Sequence, residues 1–132
     1  MDYRLPKNER LYSKKLIKEL FDKGSSFFLY PFKVMYLTLE EGAETNQVLF
    51  SVSKRKVKSA VKRNYLKRRM KEAYRLNKSL LVDGENKKKL IAFVYVSPEL
   101  ENYQKIQFKI QKVLKRLAGQ RESNKKHDEE KK

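Results

Sequence analysis

Leu16, Ile17, Leu20 and Phe21 recur at helical spacing between Ser13 and Gly24, which predicts a short amphipathic helix with Ser13 as its N-cap and Gly24 as its stop. The next apolar stretch, FFLYPFKVMYLTL at 27–39, is aromatic and β-branched. It predicts one strand with Pro31 at an edge or bulge near its beginning. A polar turn, EEGAETNQ at 40–47, leads into VLFSVS at 48–53, a second predicted strand that would close a hairpin with the first.

A helix follows from about Ser59 to Asn77, in which Leu66, Met70, Ala73 and Tyr74 share one side. VDGENKKK at 82–89 has turn chemistry at Asp83-Gly84, and LIAFVYV at 90–96 is nearly all apolar, the pattern of a strand buried on both faces and central to its sheet. Ser97 and Pro98 end it. From Tyr103 to Leu117 the positions Ile106, Ile110, Val113, Leu114 and Leu117 form one stripe, a last amphipathic helix. Residues 119–132, GQRESNKKHDEEKK, offer no large apolar side chain and read as a disordered charged tail. The order αββαβα describes an α+β fold, a two-layer sandwich of helices on a small sheet with a βαβ crossover through the 59–77 helix. A single domain, 1–118, is expected, because 132 residues leave little room for a second core.

Charge changes this picture more than composition does. The chain holds 33 Lys/Arg against 16 Asp/Glu, a net charge of +17, so its partner should be acidic. No cysteine occurs and the N-terminus has no apolar signal region, which is compatible with a reducing cytoplasm, the expected location, and no membrane partner is expected. Residues 54–78 alone hold twelve Lys/Arg against one acidic residue, Glu72. Such density costs self-repulsion unless a polyanion supplies counter-charge, and nucleic acid is the leading candidate.

The cations are ordered as well as numerous. At about 100° per residue from Lys62, the apolar side spans roughly 20° to 120°, and Asn64, Lys67, Arg68, Lys71 and Arg75 fall between about 140° and 240°. A helix that merely faces solvent usually carries glutamates at i±4, and these are nearly absent here. Lys54, Arg55, Lys56 and Lys58 occupy the connection into the helix, where loop amides and the helix N-terminus also favour a phosphate. Together with Lys62 and Arg63 these form the candidate RNA-binding set. Asn64 offers an amide to a phosphate or 2′-hydroxyl, or equally to local backbone.

SVSKRKVKSAVKRNYLKRRMKEAYR, 51–75, resembles the signature of the protein subunit of bacterial ribonuclease P, whose Arg-Asn-Arg helix is matched by Arg63-Asn64, Lys67-Arg68 and Lys71. Likeness extends more weakly from about Arg10 to Leu117. Tyr65 stands where the motif has its second arginine, and Lys58-Ser59 where the family often has a glycine. The resemblance implies a left-handed βαβ crossover and a single-stranded RNA cleft between the first helix and the sheet for the 5′ leader of precursor tRNA. By position, Ile17, Phe21, Lys33 and Met35 would line that cleft, with Tyr36 substituting if the strand register shifts by one. Aromatics beside a cation make a reasonable stacking platform, although Phe21 and its neighbours also suit an ordinary core.

Nothing in the chain supports catalysis by protein groups. His127 is the single histidine and lies in the tail, and neither metal-ligand spacing nor a phosphate-cradling glycine loop occurs. The resemblance assigns the chemistry, and the magnesium ions, to the RNA subunit, leaving the protein no cofactor of its own. The expected partners are ribonuclease P RNA and precursor tRNA, with one protein per RNA. The alternative reading is a ribosomal protein or assembly factor that binds structured RNA; a helix-in-groove DNA binder and an independent nuclease fit less well.

Overall fold

The computed structural model describes residues 5–39, 43–81 and 87–119. Three α-helices and four strands follow one another: α1 Lys14–Lys23, β1 Ser25–Leu29, β2 Phe32–Thr38, β3 Gln47–Val52, α2 Ala60–Asn77, β4 Lys89–Tyr95 and α3 Tyr103–Ala118. The sheet order is β1-β2-β4-β3, with β3 and β4 parallel and the other pairs antiparallel. The β3-α2-β4 unit is thus the expected crossover, and the α+β reading holds. The tail beyond residue 119 and parts of both polar turns, 40–42 and 82–86, lie outside the described residues.

Two expectations about the strands are corrected. The stretch read as one strand at 27–39 is a hairpin: Leu29 pairs with Phe32, and Tyr30 and Pro31, joined by a cis peptide bond, form the two-residue turn. A proline without an N–H suits the third position of such a turn better than a ladder position. The hairpin expected between 27–39 and 48–53 does not form, because β4 inserts between β2 and β3. The nearly all-apolar β4 is what makes this favourable: Leu90, Ile91, Ala92 and Phe93 are fully buried, which requires a neighbour on each edge and cover on each face.

That cover comes from both sides, so the helices flank the sheet rather than forming a second layer on one face. Alternation along the strands sends Phe32, Val34 and Tyr36 of β2, with Ile91, Phe93 and Tyr95 of β4, towards α2 and α3. Phe50, Tyr74 and Phe93 interlock there with ring centroids 5.5 to 6.3 Å apart, and Phe32 meets Phe93 edge-on. Each such ring taken from water contributes about 1.5–3 kcal/mol. On the opposite face α1 packs Leu16, Ile17 and Leu20 against Met35, Leu37, Leu49, Leu90 and Ala92.

Helix starts follow the expected chemistry. The Ser13, Ser59 and Asn102 side chains accept hydrogen bonds from the amides of Leu16, Lys62 and Lys105. Gly24 ends α1 for a different reason than a left-handed cap, since its φ is −75°. A Cβ there would lie 2.5 Å from the Leu20 carbonyl oxygen and 2.8 Å from that of Tyr36, so glycine lets the end of α1 approach β2. At the other helix pair, the Asn77 side chain donates to Gln107 at 3.0 Å and accepts from Gln111 at 2.9 Å, tying α2 to α3.

Candidate RNA interface

The cationic segment begins as β3 ends. Ser53 accepts from the Lys56 amide at 3.3 Å, the Val57 amide donates to the Ser53 carbonyl at 2.9 Å, and the buried Val57 side chain anchors the turn in the core. With its inside so fixed, Lys54, Arg55, Lys56 and Lys58 all face solvent. Four cations within five residues of a pinned turn, beside the N-terminus of α2, make a concentrated anion-facing surface.

α2 continues this surface. Leu66, Met70, Ala73 and Tyr74 are the residues it buries, the same side the spacing selects. Lys62, Asn64 and Arg68 are exposed, and Lys67 and Lys71 are half-buried along one flank. Two members of the candidate set have work inside the protein. One Arg63 guanidinium nitrogen donates to the carbonyls of Val57 at 3.0 Å and Lys58 at 2.9 Å, so this arginine braces the cationic turn. Arg75 is turned into the α2–α3 seam, its side chain 16% exposed and paired with Glu72 at 3.1 Å. Burial raises the Tyr103 phenol in that seam, Glu72 adding to the rise and Arg75 and Arg69 opposing it. Tyr65 lies flat under the Arg69 guanidinium, 4.5 Å from ring centroid to carbon. The residue in the place of the motif's arginine therefore holds a neighbouring arginine by a cation–π contact.

The second candidate surface is the α1 face of the sheet. Ile17 is half-buried against the cluster that includes Met35, and Phe21, one turn later on the same stripe of α1, is 47% exposed. Lys33 and Met35 point to this face as alternate residues of β2. Tyr36 does not: it points through the sheet, is 8% exposed, and packs on Phe27 with ring centroids 6.0 Å apart. Period-two alternation excludes it from any site that holds Lys33 and Met35.

The α1 face is covered at one end only. Strand register lines up Phe28, Lys33, Val94 and Ser51 in a row across all four strands, with Phe28 and Lys33 exposed. That row ends three residues before Lys54, so an aromatic and cationic track on the sheet leads into the cationic turn. The sequence pattern does not single out Phe28, because it places Pro31 at an edge or bulge near the start of one strand where the structure has the Tyr30-Pro31 turn. The signal was available, since a Tyr-Pro pair between two runs of aromatics is a turn signature.

Among the described residues no three His, Cys, Asp or Glu side chains come together in a way that suits a metal ion, and no helix is long and apolar enough to cross a membrane. The two candidate surfaces offer cations and exposed aromatic rings.

The Ribonuclease P family model matches residues 5–118 of the chain. The ribonuclease P protein component of Porphyromonas gingivalis is 43% identical over 119 residues, which cover 87% of each chain. That of Chlorobaculum tepidum is 31% identical over 134 residues, covering 89% of this chain and 84% of its own. The solved ribonuclease P protein of Thermotoga maritima shares the fold with a TM-score of 0.67 at 24% identity, over 82% of this chain and 96% of that one. The Staphylococcus aureus protein gives 0.65 at 23% identity, over 81% and 93%.

Proposed function

We propose, from the premise that this chain belongs to the ribonuclease P protein family, that its cationic turn and α2 dock on the catalytic RNA while its α1 face receives the 5′ leader of precursor tRNA. As a family member the chain is an RNA-binding protein subunit of the endoribonuclease that processes tRNA, and nothing in its relatives supports a ribosomal role. The observation that carries the docking surface is the placement of charge. Of the twelve Lys/Arg between 54 and 78, Arg63, Arg75 and Lys78 make contacts within the protein, and the others lie on the turn and flank of a helix whose apolar side is used by the core, where they are available to phosphates.

The division of labour follows from the side chains available. The protein supplies cations that neutralise phosphate repulsion between two RNAs, and stacking surface for an unpaired strand, while magnesium ions enter with the RNA subunit. Cleavage then needs no catalytic side chain from this protein. One copy per RNA is sufficient, because both surfaces lie on a single chain, and a cysteine-free protein suits the reducing cytoplasm where tRNA matures.

Reconstitution tests this. The purified protein alone is expected to leave precursor tRNA intact, and with its cognate RNA to raise cleavage at low magnesium, where RNA–RNA repulsion is greatest. Metal-dependent cleavage by protein freed of RNA would overturn the assignment of the chemistry to the RNA.

A further inference from the structure

The last helix is a second cationic element. α3 carries Lys105, Lys109, Lys112, Lys115 and Arg116 and no acidic residue. Lys105, Lys109, Lys112 and Arg116 recur on one stripe, on the flank away from the Gln107 and Gln111 amides that hold α2. Beside the stripe stands Phe108, 53% exposed, with the Lys112 ammonium 5.1 Å from its ring centroid. A large aromatic kept in water among lysines has no role in the core.

Opposite Phe108, across a groove of about 500 Å3, lie Tyr30 and Pro31 of the β1–β2 turn. The Tyr30 hydroxyl donates to Ser97 at 2.8 Å, and Ser97 is fully buried, so the ring is fixed at one edge while 47% of the residue stays exposed. Two aromatic surfaces, that of Tyr30 held through its hydroxyl, with Lys105 and Lys109 at the rim match an unpaired nucleotide, whose base stacks and whose phosphate seeks a cation. Glu101, also at the rim, is paired with Lys105 at 3.8 Å and leaves the groove net cationic through Lys109, while Lys112 stands just outside it against the Phe108 ring.

The groove also continues the α1 face. Phe28, which sits beside Lys33 in the open row, has its ring centroid 6.2 Å from that of Tyr30. A strand leaving that row at β1 therefore meets Tyr30 next and Phe108 beyond it.

We propose that the Tyr30–Phe108 groove is a second single-stranded RNA site, with a base between the two rings and phosphates on Lys109 and Lys112, occupied by the part of the 5′ leader that extends past the α1 face. It rests on the reading that the α1 face binds the leader. The test uses the reconstituted ribonucleoprotein and precursors with leaders graded from about 4 to about 16 nucleotides, the range of a small single-strand site. Affinity rises with leader length in the unsubstituted protein. Phe108→Ala removes that increment, about fivefold or more for the longest leader, and leaves the shortest unchanged. Lys109→Gln with Lys112→Gln removes it in a salt-dependent manner. A loss equal at every length would assign the groove to folding, to the catalytic RNA or to a protein partner, and would overturn the proposal; so would the absence of any length dependence. If the unsubstituted complex binds the shortest-leader precursor no better than mature tRNA, it is the reading of the α1 face that fails.

Discussion

Replacing Arg63 by alanine separates bracing the cationic turn from touching RNA. The substitution removes hydrogen bonds to the carbonyls of Val57 and Lys58, at 3.0 and 2.9 Å, from a guanidinium that is partly exposed. A hydrogen bond to a charged group is worth about 1.5–3 kcal/mol when shielded and an ordinary one about 0.5–1.5, so two at this half-exposed site contribute about 1–2 kcal/mol together. In a domain of this size that lowers the melting temperature by about 4–8 °C. Loosening residues 54–58 should also disperse their cations, so RNA affinity should fall by more than one phosphate contact explains. Arg68→Ala is the comparison, because Arg68 is exposed and its loss should leave stability within about 0.5 kcal/mol. It should lower the salt slope of binding by about 0.7–0.9, one contact. Thermal melts and RNA titrations across a salt series read both quantities. If Arg63→Ala melts like the unsubstituted protein, the bracing role is wrong.

The other expectations concern α1, the leader surface and the core tyrosines. Gly24→Ala should cost about 1–3 kcal/mol by overpacking and displace α1 from β2, visible as a lower melting temperature together with poorer discrimination of precursor from mature tRNA; an unchanged melt refutes the close-approach argument. Phe21→Ala should weaken precursor binding about tenfold, the loss of one stacked base, with little change in stability because the ring is 47% exposed; loss of stability without loss of discrimination would make it a core residue. Burial raises the Tyr74 phenol well above its ordinary value of 10.0, Glu9 adding to the rise, and burial likewise raises Tyr95 and Tyr103. The folded state then holds these protons more tightly than the unfolded chain, so stability is full below pH 10.0 and declines as pH rises above it. Tyr74→Phe should flatten that decline in alkaline melts, and an identical decline would show that Tyr74 does not set it.

All three α-helices and the apolar central strand were legible in the sequence, because each rests on local information. A serine or asparagine cap, a 3.6-residue stripe and an unbroken apolar run act within a few residues of themselves. The division of α2 into a packed and a cationic side was legible for the same reason: helical spacing alone sorts Leu66, Met70, Ala73 and Tyr74 from Asn64, Lys67, Arg68 and Lys71. The family could be read there too, since its motif is local.

Strand partnership was decided elsewhere. Whether 48–53 pairs with its sequence neighbour or with β4 depends on which arrangement buries Leu90 to Phe93 on both faces, a comparison no single segment contains. The same comparison placed α1 on one face and α2 with α3 on the other, and so set Lys33 and Met35 apart from Tyr36. It also set the inward tasks of Arg63 and Arg75, which local charge patterns cannot distinguish from outward ones. Tyr30 and Phe108 are 78 positions apart in the chain and line one groove. Local chemistry thus chose the elements and the sign of the surface, while the burial of shared apolar area, a property of the whole chain, chose which side chains face one another.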